Sequence, residues 1–181
     1  MPIDCEISKL TIMMAEDVWD LMITAYNYER RRSRKQFEEV CKRSSYQILE
    51  KRDNGRLLGF IGFWNFCKWI AIEHIAIEDP AIEADVIPEL LNQLIQNVEK
   101  GSIIVAEVDI IDAEKTQGLK QCYKQAGFIE NPYVYIQPSY HKGYASYPQR
   151  VMTYPCEIDY TSFKDLRGLL YRYVYGKKQS V

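Results

Sequence analysis

The sequence predicts an α/β (α+β) fold: one mixed central sheet flanked by helices on both faces, with an extra helix at the C-terminal end. Two observations carry this. Stretches with apolar residues at helical spacing alternate with continuous apolar runs of strand length. Those runs (Leu57 to Trp64, Trp69 to Ile77, Ile103 to Ile111) lack a polar face, as strands covered on both sides do. Strand–helix–strand units are too few for a doubly wound nucleotide fold.

In chain order, Glu6 to Thr11 reads as a short first strand. Val18, Leu21, Met22 and Ala25 then recur at i, i+3, i+4 and i+7, one face of an amphipathic helix. A basic run follows (Arg30, Arg31, Arg32, Arg34, Lys35), which reads as a solvated helix end or as an attractor for an anion. Ser33 with Gln36 three residues later is a capping-box signature for a second helix burying Phe37, Val40 and Cys41. Tyr46 to Arg52 is a strand, and Asp53-Asn54-Gly55-Arg56 is a tight turn, because Asn and Gly tolerate positive φ. The two apolar strands after it are joined by a turn over Asn65 to Lys68. Pro88 is expected at a first helical position, with Leu90, Leu91, Leu94, Ile95 and Val98 buried and Gly101 just past the end. After the strand Ile103 to Ile111, a helix carries Leu119, Tyr123 and Ala126 and stops at Gly127. Phe128 to Ile136 and Gln149 to Tyr154 close the sheet. Thr161 or Ser162 is expected to cap a last helix with Phe163, Leu166, Leu169, Leu170 and Tyr173 on its apolar face.

The chain has 181 residues, is 47% hydrophobic and 27% charged, and so can bury a substantial core. Its formal net charge of −2 disfavours a phosphate-backbone binder, so no nucleic-acid partner is expected. The five cysteines are scattered with no CxxC pair, which suits reduced thiols in a cytoplasmic protein better than a disulfide or zinc framework. No secretory signal is visible at Met1 to Thr11, and the most apolar stretch, Leu57 to Ile72, is interrupted by Asn65 and Lys68. A membrane partner is therefore not expected. Without HExxH, a Cys/His cluster or an Asp-rich loop, no metal is expected. Of the 14 tyrosines, ten lie between Tyr133 and Tyr175, which suits a substrate-channel wall or a subunit interface such as that of a homodimer.

Three stretches carry a resemblance to a known family. Met14-Ala15-Glu16-Asp17-Val18 is similar to the opening of its first helix. Ile72-Glu73-His74-Ile75-Ala76-Ile77-Glu78-Asp79-Pro80 is similar to its fourth strand and the turn after it. Cys122-Tyr123-Lys124-Gln125-Ala126-Gly127-Phe128 is similar to the end of its fourth helix. In this order the sequence resembles the GNAT superfamily of acetyl-coenzyme A-dependent N-acetyltransferases. The resemblance covers most of residues 1–155, leaving 156–181 as a helical extension packed on the domain or on a partner subunit.

The resemblance implies acetyl transfer from acetyl-CoA to a primary amine, of a small molecule or a peptide, by direct attack. It implies Glu73 as base and Tyr123 as acid. It also implies that the backbone of Ile75, Ala76 and Ile77 meets the pantetheine arm, and that Ile82, Glu83, Ala84, Asp85, Val86 and Ile87 hold the pyrophosphate. In that last stretch the sequence departs from the family: Glu83 stands where an Arg or Gln is usual, and Ala84, Val86 and Pro88 stand where glycines are usual. A like charge at 4 Å costs about 1 kcal/mol in bulk water and about 4 at an effective dielectric of 20. The alternative expectation is thus a catalytically inactive GNAT-fold interaction or structural protein; a longer acyl donor is a third reading with the same fold.

Other candidates come from the residues themselves. Glu107 and Asp109, two apart on a strand, share one face and either favour a cationic acceptor or form salt bridges. His141, in the Tyr-rich loop, either touches acceptor or is a solvated loop residue. His74, adjacent to Glu73, is expected to face the opposite way as a core group. Cys122 reads as a buried apolar side chain.

Overall fold

A computed structural model describes residues 16–110 and 114–177, the side chains of 114–116 excepted. The expected strand Glu6 to Thr11 lies outside these residues. The described elements are α1 (Glu16–Ala25), α2 (Arg34–Cys41), β1 (Tyr46–Asp53), β2 (Arg56–Phe66), β3 (Trp69–Ile77), α3 (Glu83–Asn97), β4 (Ile103–Asp109), α4 (Glu114–Gln125), β5 (Ile129–Gln137), β6 (Tyr147–Tyr154) and α5 (Tyr160–Leu169). The strands form one sheet in the order β1-β2-β3-β4-β6-β5. It is mixed: β3 and β4 pair in parallel, the other neighbours antiparallel.

Local chemistry sets several boundaries as the sequence predicts. Ser33 accepts from the Gln36 amide while the Gln36 side chain accepts from the Ser33 N–H, so both ends of the capping box are made. Asn54 and Gly55, at φ 48 and 84, turn β1 into β2. Elsewhere the expected boundaries move. Pro88 lies inside α3 rather than at its start; the helix is opened earlier by a 3-10 turn over Pro80–Ile82, whose Asp79 cap accepts from the Ala81 amide. Gly101 is not the residue after that helix, which ends at Asn97 with Val98 as cap; it sits in the following turn at φ 91. Neither Thr161 nor Ser162 caps α5: Asp159 does, accepting from the Ser162 amide.

Two apolar layers cover the sheet. One lies under α1, α2 and α5 and holds Trp19, Phe37, Tyr46, Phe60, Trp64, Val105, Phe163, Leu166 and Leu170; the other lies under α3 and α4 and holds Ile61, Ile70, Ile72, Leu90, Leu91, Leu94, Ile104 and Tyr123. The inner strands feed both layers, which is why their sequences are apolar without alternation. The segment after Tyr154 belongs to the first layer. Tyr133 stacks on Phe163, and Tyr171 donates to the Ile136 carbonyl, so much of the tyrosine enrichment packs α5 against the sheet. No helix among the described residues is long and apolar enough to cross a membrane.

Candidate active site

The site originates in two irregularities of β3. Pairing with β4 runs only from Trp69↔Ile103 to Ile72↔Ala106. Beyond it Glu73–Ile77 and Glu107–Asp109 part, while β4 stays paired to β6 as far as Asp109. A gap therefore opens in the middle of the sheet, with the start of α3 beyond the end of β3.

The second irregularity is a bulge. Gly62 pairs with His74 and Phe63 with Ile72, so Glu73 has no partner on β2. Side chains before and after it alternate between the layers, but the extra residue breaks the alternation. Glu73 and His74 consequently lie on the same side, among Arg32 and Tyr140. This corrects the expectation that His74 faces away from Glu73. Its ring packs edge-on to Tyr26 and against Tyr140; Nε2 lies 3.3 Å from the Arg30 carbonyl, and Nδ1 is buried without a partner among the described residues. Burial holds the His74 pKa below its usual value.

Glu73 has a fully buried side chain. Trp64 Nε1 donates to its Oε2 at 2.8 Å, and Arg32 Nη2 lies 2.9 Å from Oε1. Arg32, itself 10% exposed at the side chain, also donates to the Val174 carbonyl at 2.6 Å. The basic run is thus not simply a solvated helix end. Arg30 and Arg32 turn inward, Arg30 to Asp109 at 2.5 Å and over the Tyr147 ring at 4.0 Å. Arg34 stays at the surface, paired with Glu16 and Glu38.

Glu107 and Asp109 share one face, as their spacing predicts; it is the face that carries Glu73, and both are partnered. Gln149 donates to Asp109 alongside Arg30. Tyr175 donates to Glu107 Oε2 at 2.5 Å and accepts from Gln137. Glu107 Oε1 is buried without a hydrogen-bond partner among the described residues, and burial, with the Glu73 charge adding, pushes the Glu107 pKa up to about 7. His141 lies apart from this group: it stacks on Tyr28 at 3.9 Å, with Nε2 near the Tyr28 and Arg31 carbonyls, pinning the β5–β6 loop to the segment after α1.

Tyr123 of α4 is 2% exposed in the layer under α3 and α4 and packs on Phe128; burial raises its pKa. Tyr26, one residue beyond α1, is a participant that no sequence signal identifies. Its hydroxyl donates to the Ile75 carbonyl at 2.7 Å and accepts from the Ile75 N–H at 3.1 Å. At the start of α3, Glu83 and Asp85 occupy the first turn, and the Glu83 N–H is taken by the Pro80 carbonyl. The Glu83 carboxylate lies over Gly118 of α4, whereas Ala84 and Asp85 are exposed and Val86 and Ile87 are buried.

A mixed sheet parted between two parallel strands, with a helix starting at the mouth of the gap, is the fold of the GNAT acetyltransferases. Solved structures bear this out, whereas no family model and no curated protein matches the sequence. The chain is similar to a provisional GNAT-family acetyltransferase from Bacteroides thetaiotaomicron, with a TM-score of 0.80 and 24% identity over 90% of this chain and 92% of that one. It is also similar to the ribosomal-protein-S18-alanine N-acetyltransferase of Escherichia coli (0.58, 20%, 80% and 88%). A third likeness is to an aminoglycoside 6'-N-acetyltransferase complexed with coenzyme A (0.57, 17%, 80% and 92%).

Proposed function

We propose that the protein is an acetyl-CoA-dependent N-acetyltransferase acting on a primary amine of a small molecule or peptide. The observation that supports this best is the parting of β3 and β4 after Ile72 and Ala106, which leaves the strand edge at Ile75 to be met by a group other than β4. That edge fits an amide-bearing arm: the Tyr26 hydroxyl now meets it with one donor and one acceptor, the same pair an amide presents. When bound, the cosubstrate would supply an activated acetyl thioester. The backbone of Ile75, Ala76 and Ile77 would hold its pantetheine arm, and amides of 82–87 its pyrophosphate.

The chain's own residues would then divide the proton work. Tyr123, kept neutral by burial, is a donor to a leaving thiolate. The base comes from the buried acids. Glu73, the carboxylate implied by the family resemblance, already has Trp64 and Arg32 as partners. Glu107 has a free oxygen and a pKa near 7, which matches base catalysis at neutral pH. Together with Asp109 these acids would draw an ammonium to the α1–α2 side of the sheet, with Glu107 taking the proton before attack.

A second reading is a non-catalytic interaction protein. It draws on the two features that oppose the cosubstrate, Tyr26 on the Ile75 edge and the acids Glu83 and Asp85 at the start of α3. Calorimetric titration with acetyl-CoA, with desulfo-coenzyme A as control, separates the two. Micromolar binding followed by thiol release in an amine screen is the expected result. No binding at millimolar concentration would overturn the enzyme reading.

A further inference from the structure

We propose that Tyr26 is a gate on the gap between β3 and β4: its hydroxyl holds the strand edge at Ile75 until an amide-bearing ligand replaces it, and it thereby sets the affinity of the site. The identity of that ligand rests on the acetyl-CoA reading; the gate itself rests on geometry. Past Ile72, β3 has no strand partner on its β4 side among the described residues, so the Ile75 N–H and C=O need partners from elsewhere. One hydroxyl can donate once and accept as well, so a single tyrosine satisfies both groups. A secondary amide is the other common group that offers one donor and one acceptor along a strand edge.

Tyr26 is placed to leave. It follows the last residue of α1, where its N–H still bonds the Met22 carbonyl, so its side chain can change rotamer without unwinding the helix. Its ring touches His74 edge-on at 4.9 Å and packs on the α1-side layer, while its hydroxyl meets the backbone of Ile75, whose side chain belongs to the α4-side layer. Burial pushes its pKa up to about 12, so it keeps its proton, and hence its bond to the Ile75 carbonyl, throughout the physiological range. A ligand that needs the Ile75 edge binds only the fraction of molecules in which Tyr26 has moved, and its apparent affinity falls by that fraction.

The test uses the full chain and acetyl-CoA as probe. Tyr26→Phe keeps the ring but removes both hydrogen bonds, so calorimetry should show acetyl-CoA binding about five- to tenfold tighter than to the parent protein. In the unliganded variant the Ile75 amide should exchange with solvent faster by a similar factor. Equal affinities would overturn the gate and leave the acetyl-CoA reading standing. No binding to either protein would overturn both, and faster Ile75 exchange would then mark Tyr26 as a permanent plug. If the variant fails to fold, the parent protein decides alone. Its Tyr26 ring resonances should shift on saturation with acetyl-CoA as the His74 contact is lost, and unmoved resonances in the saturated complex would overturn the gate.

Discussion

Replacing Arg32 by Leu should expose how much of the fold depends on one buried charge. The Arg32–Glu73 pair, at 2.9 Å with side chains 10% and 0% exposed, is closed to solvent. At an effective dielectric of 20, two unit charges at that distance attract by about 6 kcal/mol. Removing Arg32 loses this attraction and the hydrogen bond to the Val174 carbonyl, but it also removes the cost of burying the guanidinium. The net destabilisation for breaking such a pair is about 3–5 kcal/mol. With a urea m-value of about 2 kcal/mol/M, the midpoint should fall by roughly 2 M. The double variant Arg32→Leu, Glu73→Leu should regain most of that loss, because no orphan charge remains. A single-variant loss below about 1 kcal/mol, or a double variant no better than the single, would refute the reasoning that Glu73 needs this partner.

Glu107 makes stability depend on pH. Its carboxyl titrates at 4.5 when exposed and at about 7 in the fold. Between those values the native state holds the proton that the unfolded chain has lost, so stability falls as pH rises through this window, by about 3 kcal/mol in all. Glu107→Gln should abolish that slope in denaturation midpoints measured from pH 4.5 to 7.5. Gly62→Ala should cost about 1–3 kcal/mol in thermal or urea unfolding, because a Cβ there would overlap the Tyr46 hydroxyl, which the core holds at 5% residue exposure. Tyr123→Phe should lower turnover about 10²-fold or more while leaving acetyl-CoA affinity nearly unchanged by calorimetry; undiminished turnover would remove Tyr123 from the reaction.

The parts of this fold legible in the sequence are those governed by short-range chemistry. The capping box at Ser33 and Gln36, the Asn54-Gly55 turn and the arrest of α4 before Gly127 each depend on a few adjacent residues. The succession of strands along the chain follows from the apolar runs, whereas the placing of β6 between β4 and β5 in the sheet does not. What strict alternation could not show is the bulge at Glu73, since a period of two assigns His74 to the wrong face. Pro88 misleads for a related reason: the 3-10 turn at Pro80 starts the helical path before α3, and the missing Pro88 N–H is tolerated inside it. The inward turn of Arg30 and Arg32 depends on Asp109, Glu73 and Val174, all remote in sequence. Glu73, Tyr123 and Ile75 enter as candidates only through resemblance to a family. Tyr26 carries no motif, and only the tertiary structure shows the bond it makes.

The polar cluster also has a consequence for the order in which the chain folds. Arg32 meets Val174 across 142 positions, Glu107 meets Tyr175 across 68, and Tyr26 meets Ile75 across 49. Closing loops of that length is entropically expensive until the apolar layers have brought the segments together, so these bonds belong to the last stage of folding. Contacts made after the transition state do not speed its formation; they slow escape from the native state. The buried Glu73–Arg32–Val174 and Glu107–Tyr175 links therefore act as a late latch, governing how long the native state persists once formed.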